Sequence, residues 1–493
     1  MKFQVPMTGQ YNTRIAQSNA VSGASGVVGI GVVGLMVVGA APSAVDKDER
    51  WINCMLTKEG SKQYLVKRPG VAALNTPSTG NVGSAILVWT GSASGTAVIA
   101  AFGATNSTVY NGTTSLGAIT GKARSITETT VSSTATLLVA SGDSTGWYYD
   151  TGVAVMTKIS DADFPGNAGF TTAGDFVTLD GFNFIMTTDG KVWASNLNSV
   201  TGWVANSYDT ANEFPDAGVG LVRFRNMILA FGKESIQFFQ NAGLTPFPLQ
   251  KSKNQTVKVG AVSSDAIATL SDNVFWCGST DKGGLSIFQY DGSLSRISTP
   301  EQDFQLVLAG PSNISITTLR FYGRSFVLVK ANATTYVYCL EDKRWHEWSS
   351  TTPLWYKCAG LSSGTQILTY SISNISTAGK VYLINPAALV FEDDGVTYTA
   401  TFQSQNMDAD GNMMFFDFMR IIADTEPTTS TLTISASDDD FVTFNVLGTV
   451  DLSQKVKRID RLGSSDKRAW KFTHSANTAM RIEQAVGEMA VGT

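Results

Sequence analysis

The sequence predicts an all-β chain: a β-propeller followed by a C-terminal β-sandwich. Three observations predict it. Val257–Thr299 breaks into four strand-sized apolar runs, Ala261–Leu270, Val274–Cys277, Leu285–Tyr290 and Leu294–Ile297, each closed by Asp, Asn or Gly. One such meander cannot bury both of its faces and must stack on copies of itself. Similar groups recur at spacings of roughly 35–50 residues, the period of propeller blades. The third observation is composition. The 493 residues are 43% hydrophobic and only 16% charged, with 46 glycines, and Ser, Thr, Val and aromatics are abundant.

The first 70 residues read as an N-terminal arm. Val21–Ala41 carries no charge, and Val27–Ala41 reads VVGIGVVGLMVVGAA. Gly29-Ile30-Gly31-Val32-Val33-Gly34 matches a dinucleotide fingerprint, but Pro42 stops any helix too early for a βαβ unit. A transmembrane helix would hold four glycines between Gly29 and Gly39, each costing about 1 kcal/mol in a helix interior. What remains is an apolar loop or hairpin. Val27, Val28, Ile30, Val32, Val33, Leu35, Met36, Val37 and Val38 are then candidates for a subunit contact, or for a tip that meets a host membrane. Arg68-Pro69-Gly70 reads as a turn into the first regular strand.

Residues 71–390 form the predicted propeller. Ser84–Thr90, Ala97–Gly103 and Ser107–Asn111 make one group, and Ser125–Thr130, Ala135–Ser141 and Trp147–Asp150 a second. Asp175–Leu179, Phe182–Thr187 and Lys191–Ser195 make a third, and Val219–Arg225, Met227–Phe231 and Ser235–Gln240 a fourth. The meander at Val257–Thr299 is the fifth, and Ile316–Tyr322, Ser325–Lys330, Thr334–Leu340 and Arg344–Trp348 the sixth. Trp355–Leu361, Thr365–Ser371 and Lys380–Ile384 make either a seventh blade or the piece that completes the first. The prediction is therefore six blades, or seven. One helix interrupts them: Thr299 is placed as N-cap with Pro300 at the first helical position, ending by Gly310. Trp345/Trp348 and Phe238/Phe239 read as packing between blades rather than a sugar-stacking platform.

Residues 391–493 read as a separate β-sandwich with strands at Thr397–Gln405, Met413–Ala423, Thr431–Ala436, Val442–Leu447, Ala469–His474 and Met480–Gln484. Ser437–Phe444 resembles a degenerate Asp-box hairpin with Phe441 where Gly is usual. Asp408–Asn412 has the flavour of a calcium loop without its closing Glu and reads as a solvated turn. Lys455, Lys457, Arg458, Arg461, Lys467 and Arg468 are the main basic concentration and a candidate contact face.

Little points to catalysis, and the chain reads as a non-enzyme needing no cofactor. The net charge of −5 disfavours general affinity for nucleic acid. Cys54, Cys277, Cys339 and Cys358 lie far apart and read as buried free thiols. The two histidines, His346 and His474, have no metal-binding pattern around them. Gly117–Lys122 is no P-loop, and no G-x-S-x-G elbow is present. The alternative function is a carbohydrate-binding or glycoside-cleaving propeller, which needs convergent carboxylates.

Several stretches together resemble the tail hub, or nozzle, proteins of short-tailed bacteriophages, the packaged-DNA stabilisation family. They are Arg50-Trp51-Ile52-Asn53 with Arg68-Pro69-Gly70, and Phe231-Gly232 with Ser235-Ile236-Gln237-Phe238-Phe239. Gly260, Trp276, Gly283 and Tyr290 lead into Arg296-Ile297-Ser298-Thr299. Tyr338 and Trp345 follow, then Arg458, Arg461-Leu462-Gly463 and Arg468. The run Val21–Ala41 departs from the family pattern. The resemblance implies a structural protein of the virion tail, assembled in the host cytoplasm as a hexameric ring. It implies a portal adaptor and a tail fibre or spike as partners, and double-stranded DNA passing non-specifically through the channel.

Overall fold

The structure, a computed structural model, describes residues 2–5, 49–59, 62–92, 96–211, 214, 216–279, 283–363, 366–384 and 390–492. The chain divides into two compact units: Pro69–Ser298 with Gln302–Val396, and Met1–Arg68 with Thr299–Glu301 and Thr397–Thr493.

The larger unit is a propeller of seven four-stranded antiparallel blades. Blade 1 holds Gly83–Trp89, Ala97–Phe102, Ser107–Asn111 and Thr114–Ile119. Blade 2 holds Ala123–Val131, Thr134–Ser141, Gly146–Asp150 and Thr157–Lys158. Blade 3 holds Thr172–Leu179, Phe182–Thr187, Lys191–Ser195 and Trp203–Thr210. Blade 4 holds Gly218–Phe224, Met227–Gly232, Ile236–Asn241 and Leu249–Val257. Blade 5 holds Ile267–Leu270, Asn273–Ser279, Leu285–Tyr290 and Leu294–Arg296. Blade 6 holds Ile314–Phe321, Arg324–Ala331, Thr334–Cys339 and Arg344–Trp348. In blade 7, Lys357–Ser363, Gln366–Ile372 and Val381–Ile384 are joined by Ala72–Asn75 from the other end of the unit.

The last predicted group is thus a blade of its own, and the ring is fastened there. Val381, Tyr382 and Leu383 pair with Asn75, Ala73 and Ala72. The first strand of blade 1 lies against the first strands of blades 2 and 7. Apolar side chains fill the space between successive sheets. Phe231, Phe238, Val274 and Trp276 pack together between blades 4 and 5, and Ala100, Phe102, Ile372 and Val381 between blades 1 and 7. Middle strands covered on both faces read as unbroken apolar runs, as Leu137–Ala140 does. Trp345, Trp348, Phe238 and Phe239 are all buried, as expected for packing residues.

The helix runs Pro300–Ala309, close to its predicted limits. The first strand of blade 5 is shorter than expected. Ser264–Ala266 forms a 3-10 turn and the strand begins at Ile267. The cause is Asp265, whose carboxylate is drawn to Lys357 and Tyr356.

The smaller unit is a β-sandwich built from both ends of the chain. One sheet has the order Cys54–Glu59, Lys62–Lys67, Arg481–Val491, Met414–Ala423, Arg458–Ser465, with Lys2–Val5 also beside the Arg481–Val491 strand. The other has Arg50–Ile52, Ala400–Gln403, Lys467–His474, Thr431–Ser437, Asn445–Asp451. Trp51, Leu56, Phe402, Phe416, Met419, Trp470 and Phe472 fill the space between them. Residues 50–67, read in the sequence as part of the arm, are strands of this sandwich because their partners are distant: Arg50–Ile52 pairs with Ala400–Gln403, and in Lys62–Lys67 Leu65 faces Ile482 and Val66 faces Arg481. The expected Val442–Leu447 strand starts later, at Asn445, because Ser437–Thr443 folds into a turn around Asp439. The Asp439 carboxylate accepts from the Ser437 hydroxyl at 2.8 Å and the Thr443 amide at 2.9 Å. Phe441 takes the left-handed conformation, with φ 68°, at the position where glycine is usual.

His474 lies in this core with its Nε2 2.8 Å from the Ser430 hydroxyl, and its Nδ1 has no partner among the described residues. Burial, then the Lys67 charge, push its pKa down to about 4. The unfolded imidazole, near 6.5, binds a proton that the folded one refuses. Stability should therefore fall as pH drops from about 6.5 towards 4, by roughly 1.4 kcal/mol per unit at most. Urea titrations across that range should show the slope in the wild type and a flatter profile in His474→Gln.

Candidate functional surfaces

Charged residues from four blades meet at the propeller axis. Arg124 stands on the first strand of blade 2, Asp175 on that of blade 3 and Lys357 on that of blade 7, and Asp265 on the turn before blade 5. Groups from blades so far apart around a ring can meet only at its centre. The Lys357 ammonium donates to Asp265 at 2.8 Å, and the Tyr356 hydroxyl donates to the same carboxylate at 2.9 Å. Arg124 donates to the Thr172 carbonyl at 2.7 Å and to the Gly142 carbonyl at 3.3 Å.

The shifts follow from this crowding. Burial raises the Asp175 carboxyl, only partly offset by the Lys357 and Arg124 charges. Asp265 is lowered: burial opposes ionisation, but Lys357 and Tyr356 together outweigh it. The Lys357 ammonium is held above its usual range by Asp265, although burial works against it. Asp175 and Asp265 are the carboxylates of this centre, and Asp265 is committed to an ion pair with Lys357.

The six residues of the candidate basic face do not form one surface. Lys455, Arg458 and Arg461 are exposed; Lys457 and Arg468 are buried. Arg468 grips Asp438 with two parallel bonds of 2.6 and 2.7 Å, donates to the Leu462 carbonyl at 2.7 Å, and lies 4.7 Å from the Phe416 ring centre. Lys467 pairs with Asp440 at 2.9 Å, and Arg458 with Asp460 at 2.6 Å. Lys457 donates to the Thr425 hydroxyl at 3.1 Å. Arg461 lines a cleft of about 690 Å³ with Phe415, Asp417, Glu488 and Met489. The run divides this way because it crosses from the loop before Arg458–Ser465, through that strand, to Lys467–His474 in the other sheet.

Arg468 is therefore expected to serve stability. Arg468→Met should cost about 2–3 kcal/mol, since it strands a buried carbonyl and a half-exposed carboxylate. Lys455→Gln should stay within about 0.5 kcal/mol. Chemical denaturation of the two variants checks both figures.

The candidate loop residues Val27, Val28, Ile30, Val32, Val33, Leu35, Met36, Val37 and Val38 lie outside the described residues. Among the described residues, Phe304, Val307 and Leu308 form an exposed apolar stripe on the helix, and Phe304 and Leu308 are 56% and 61% exposed. Their spacing places them on one helical face. No helix among the described residues is long and apolar enough to cross a membrane, and no group of metal-binding side chains occurs among them. Asp408 caps its own turn by accepting from the Gly411 amide at 3.2 Å. The four cysteines are free, three of them buried.

The residues that carry the family resemblance are mostly packing and bracing groups. Arg68 is fully buried; it donates to Asn53 Oδ1 at 2.8 Å and stacks 3.8 Å from the Tyr398 ring centre. Asn53 has φ 56° and donates to the Thr399 carbonyl at 2.8 Å. Gly232 sits where any Cβ would meet the Asp216 carboxylate at 2.3 Å, and that carboxylate holds the next hairpin through the Glu234 and Ser235 amides. The Trp345 indole donates to the Ile297 carbonyl at 2.9 Å. Two further braces were missed in the sequence. In blade 2, Asp143 accepts from Thr145, whose hydroxyl also accepts from the Trp147 indole. In blade 3, Thr187 bonds Asp189 and receives the Trp193 indole. Their signal is a hydroxyl, an acid and a tryptophan close together along a hairpin, at 143, 145 and 147 in blade 2 and at 187, 189 and 193 in blade 3.

A family model described as bacteriophage P22 Gp10, beta-propeller, matches residues 52–367. Among solved structures, Raptor of Chaetomium thermophilum is 11% identical, with a TM-score of 0.40; the alignment covers 69% of this chain and 29% of that one. BamB from Moraxella catarrhalis is 10% identical over 67% of this chain and 95% of that one, with a TM-score of 0.38. The N-terminal domain of Nup159 is 10% identical over 68% and 98%, with a TM-score of 0.39. This chain thus spans 29% of the length of the Raptor chain. No curated protein matches the sequence.

Proposed function

The chain belongs to the P22 Gp10 family of bacteriophage β-propeller proteins, and from that membership we propose that it forms the ring-shaped tail nozzle of a short-tailed phage. It is a structural phage protein, a component of the virion. The finer reading is a non-enzymatic hexameric ring beneath the portal adaptor that lines the DNA exit channel, retains packaged DNA and receives fibres or spikes. The family match carries it, because it spans 52–367 and so most of the propeller.

Two physical features support the reading. Rings close through heterologous contacts between unlike patches, and the exposed stripe Phe304, Val307 and Leu308 offers one such patch. The uncharged run Val27–Ala41 is proposed as another, or as a tip for the host membrane. The chain is also acidic, with net charge −5. A channel wall on which Asp and Glu outnumber Lys and Arg repels phosphates and lets DNA slide without sticking.

Light scattering on the purified full chain, with negative-stain images of the same peak, tests the assembly. The expected result is a hexameric mass and rings with a central opening. A chain that stays monomeric both alone and with its adaptor would overturn the ring.

A further inference from the structure

Two further ammonium groups stand at the propeller axis beside the charge network already described, and the Lys122 charge adds to that of Lys357 in favouring the Asp265 carboxylate. Lys122 precedes the first strand of blade 2, and Lys330 stands on the second strand of blade 6. Both point to the Tyr356 ring, at 5.7 and 5.9 Å from its centre, and the Lys357 ammonium lies 5.6 Å from the same centre. Lys357 is neutralised by Asp265. Arg124 is spent on two backbone carbonyls, with Asp175, Asp265 and Asp143 in its field. Lys330 donates to the neutral Asn374 amide oxygen at 2.9 Å, and among the described residues neither it nor Lys122 has a carboxylate within ion-pair reach. Just before Asp265, the Ser263 hydroxyl is buried without a partner among the described residues.

Like charges do not gather beside a buried ring unless something offsets them. We propose that the axial mouth of the propeller binds a phosphate-type oxyanion between Lys122 and Lys330, with the Lys357–Asp265 pair and Tyr356 as its floor. A tetrahedral dianion suits the site because it can accept from two ammonium groups at once. Burial, and then the Lys122 charge, hold the Lys330 ammonium below its ordinary value, a repulsion that an anion would relieve. The anion would come either free from solution or as the phosphodiester of a nucleic acid. The site does not depend on ring assembly.

The test uses the full chain at low salt, with inorganic phosphate against chloride at matched ionic strength. Phosphate should raise the melting temperature of the wild type through linkage and broaden its own 31P resonance. Each of Lys122→Gln and Lys330→Gln should weaken phosphate binding by about 10-fold, one lost charge-assisted bond. Lys122→Glu should pair with Lys330, melt higher than the wild type without phosphate, and no longer respond to it. A short DNA duplex added to the phosphate-bound chain separates the sources. Displacement of phosphate points to a phosphodiester, and none points to the free ion. A wild type that melts alike in phosphate and chloride and leaves the 31P line sharp overturns the site, as does an equal response from Lys122→Glu.

Discussion

Gly379→Ala is expected to unfasten the propeller, with a loss of about 3 kcal/mol or more. Gly379 has φ 62°, and a Cβ there would lie 1.7 Å from the Ser78 carbonyl oxygen. That carbonyl belongs to the turn just after the closing strand Ala72–Asn75, held by the Ser78 amide on the Gly379 carbonyl at 3.2 Å and the Gly80 amide on the Thr377 carbonyl at 2.8 Å. Backbone cannot move aside as a flexible side chain can, so the clash pushes the strand off blade 7. Gly323 is the control, since it has φ 68° but nothing within 4 Å of its virtual Cβ. Gly323→Ala carries the strain alone and should cost about 1 kcal/mol. Calorimetric melting separates the two. Equal losses would show that the closing strand does not hold the ring together.

Trp276→Ala should be as severe, at about 3–5 kcal/mol. The indole is fully buried between blades 4 and 5, with Phe231 and Phe288 ring centres at 5.4 and 5.7 Å. Its Nε1 has no hydrogen-bond partner among the described residues, so its contribution there is packing. Trp276→Phe should therefore keep most of the stability, with a loss of about 1–2 kcal/mol from the smaller ring. Urea denaturation of both variants decides this. A large loss in the Phe variant would point to a polar contact instead of packing.

The inner strands of each blade were legible because burial on both faces writes them as dense apolar runs. The outermost strands were not. Trp203–Thr210 and Leu249–Val257 are rich in polar residues, because an edge strand is held by its ladder more than by burial. Ala72–Asn75 is four residues long and largely exposed, and its partner lies at the far end of the propeller, so no local pattern reveals it. Residues 50–67 joined the wrong domain for the same reason, since periodicity shows a strand but not its distant partner. Arg458–Ser465 was hidden inside a run of basic residues read as surface.

The charged axis left a faint trace. Arg124 and Lys357 stand at the start of a first strand, Asp175 midway along one, and Asp265 just before one. A charged residue in or just before the first strand of repeated apolar units marks a shared centre. Position in the repeat, rather than spacing within one segment, carries that signal.

The most direct measurement of the central claim is an electron cryomicroscopy reconstruction of the phage tail. The account predicts this propeller repeated in a closed ring around the tail axis, enclosing a channel whose wall carries more Asp and Glu than Lys and Arg. A propeller placed singly off the axis, or a ring with a net-basic wall, would contradict it.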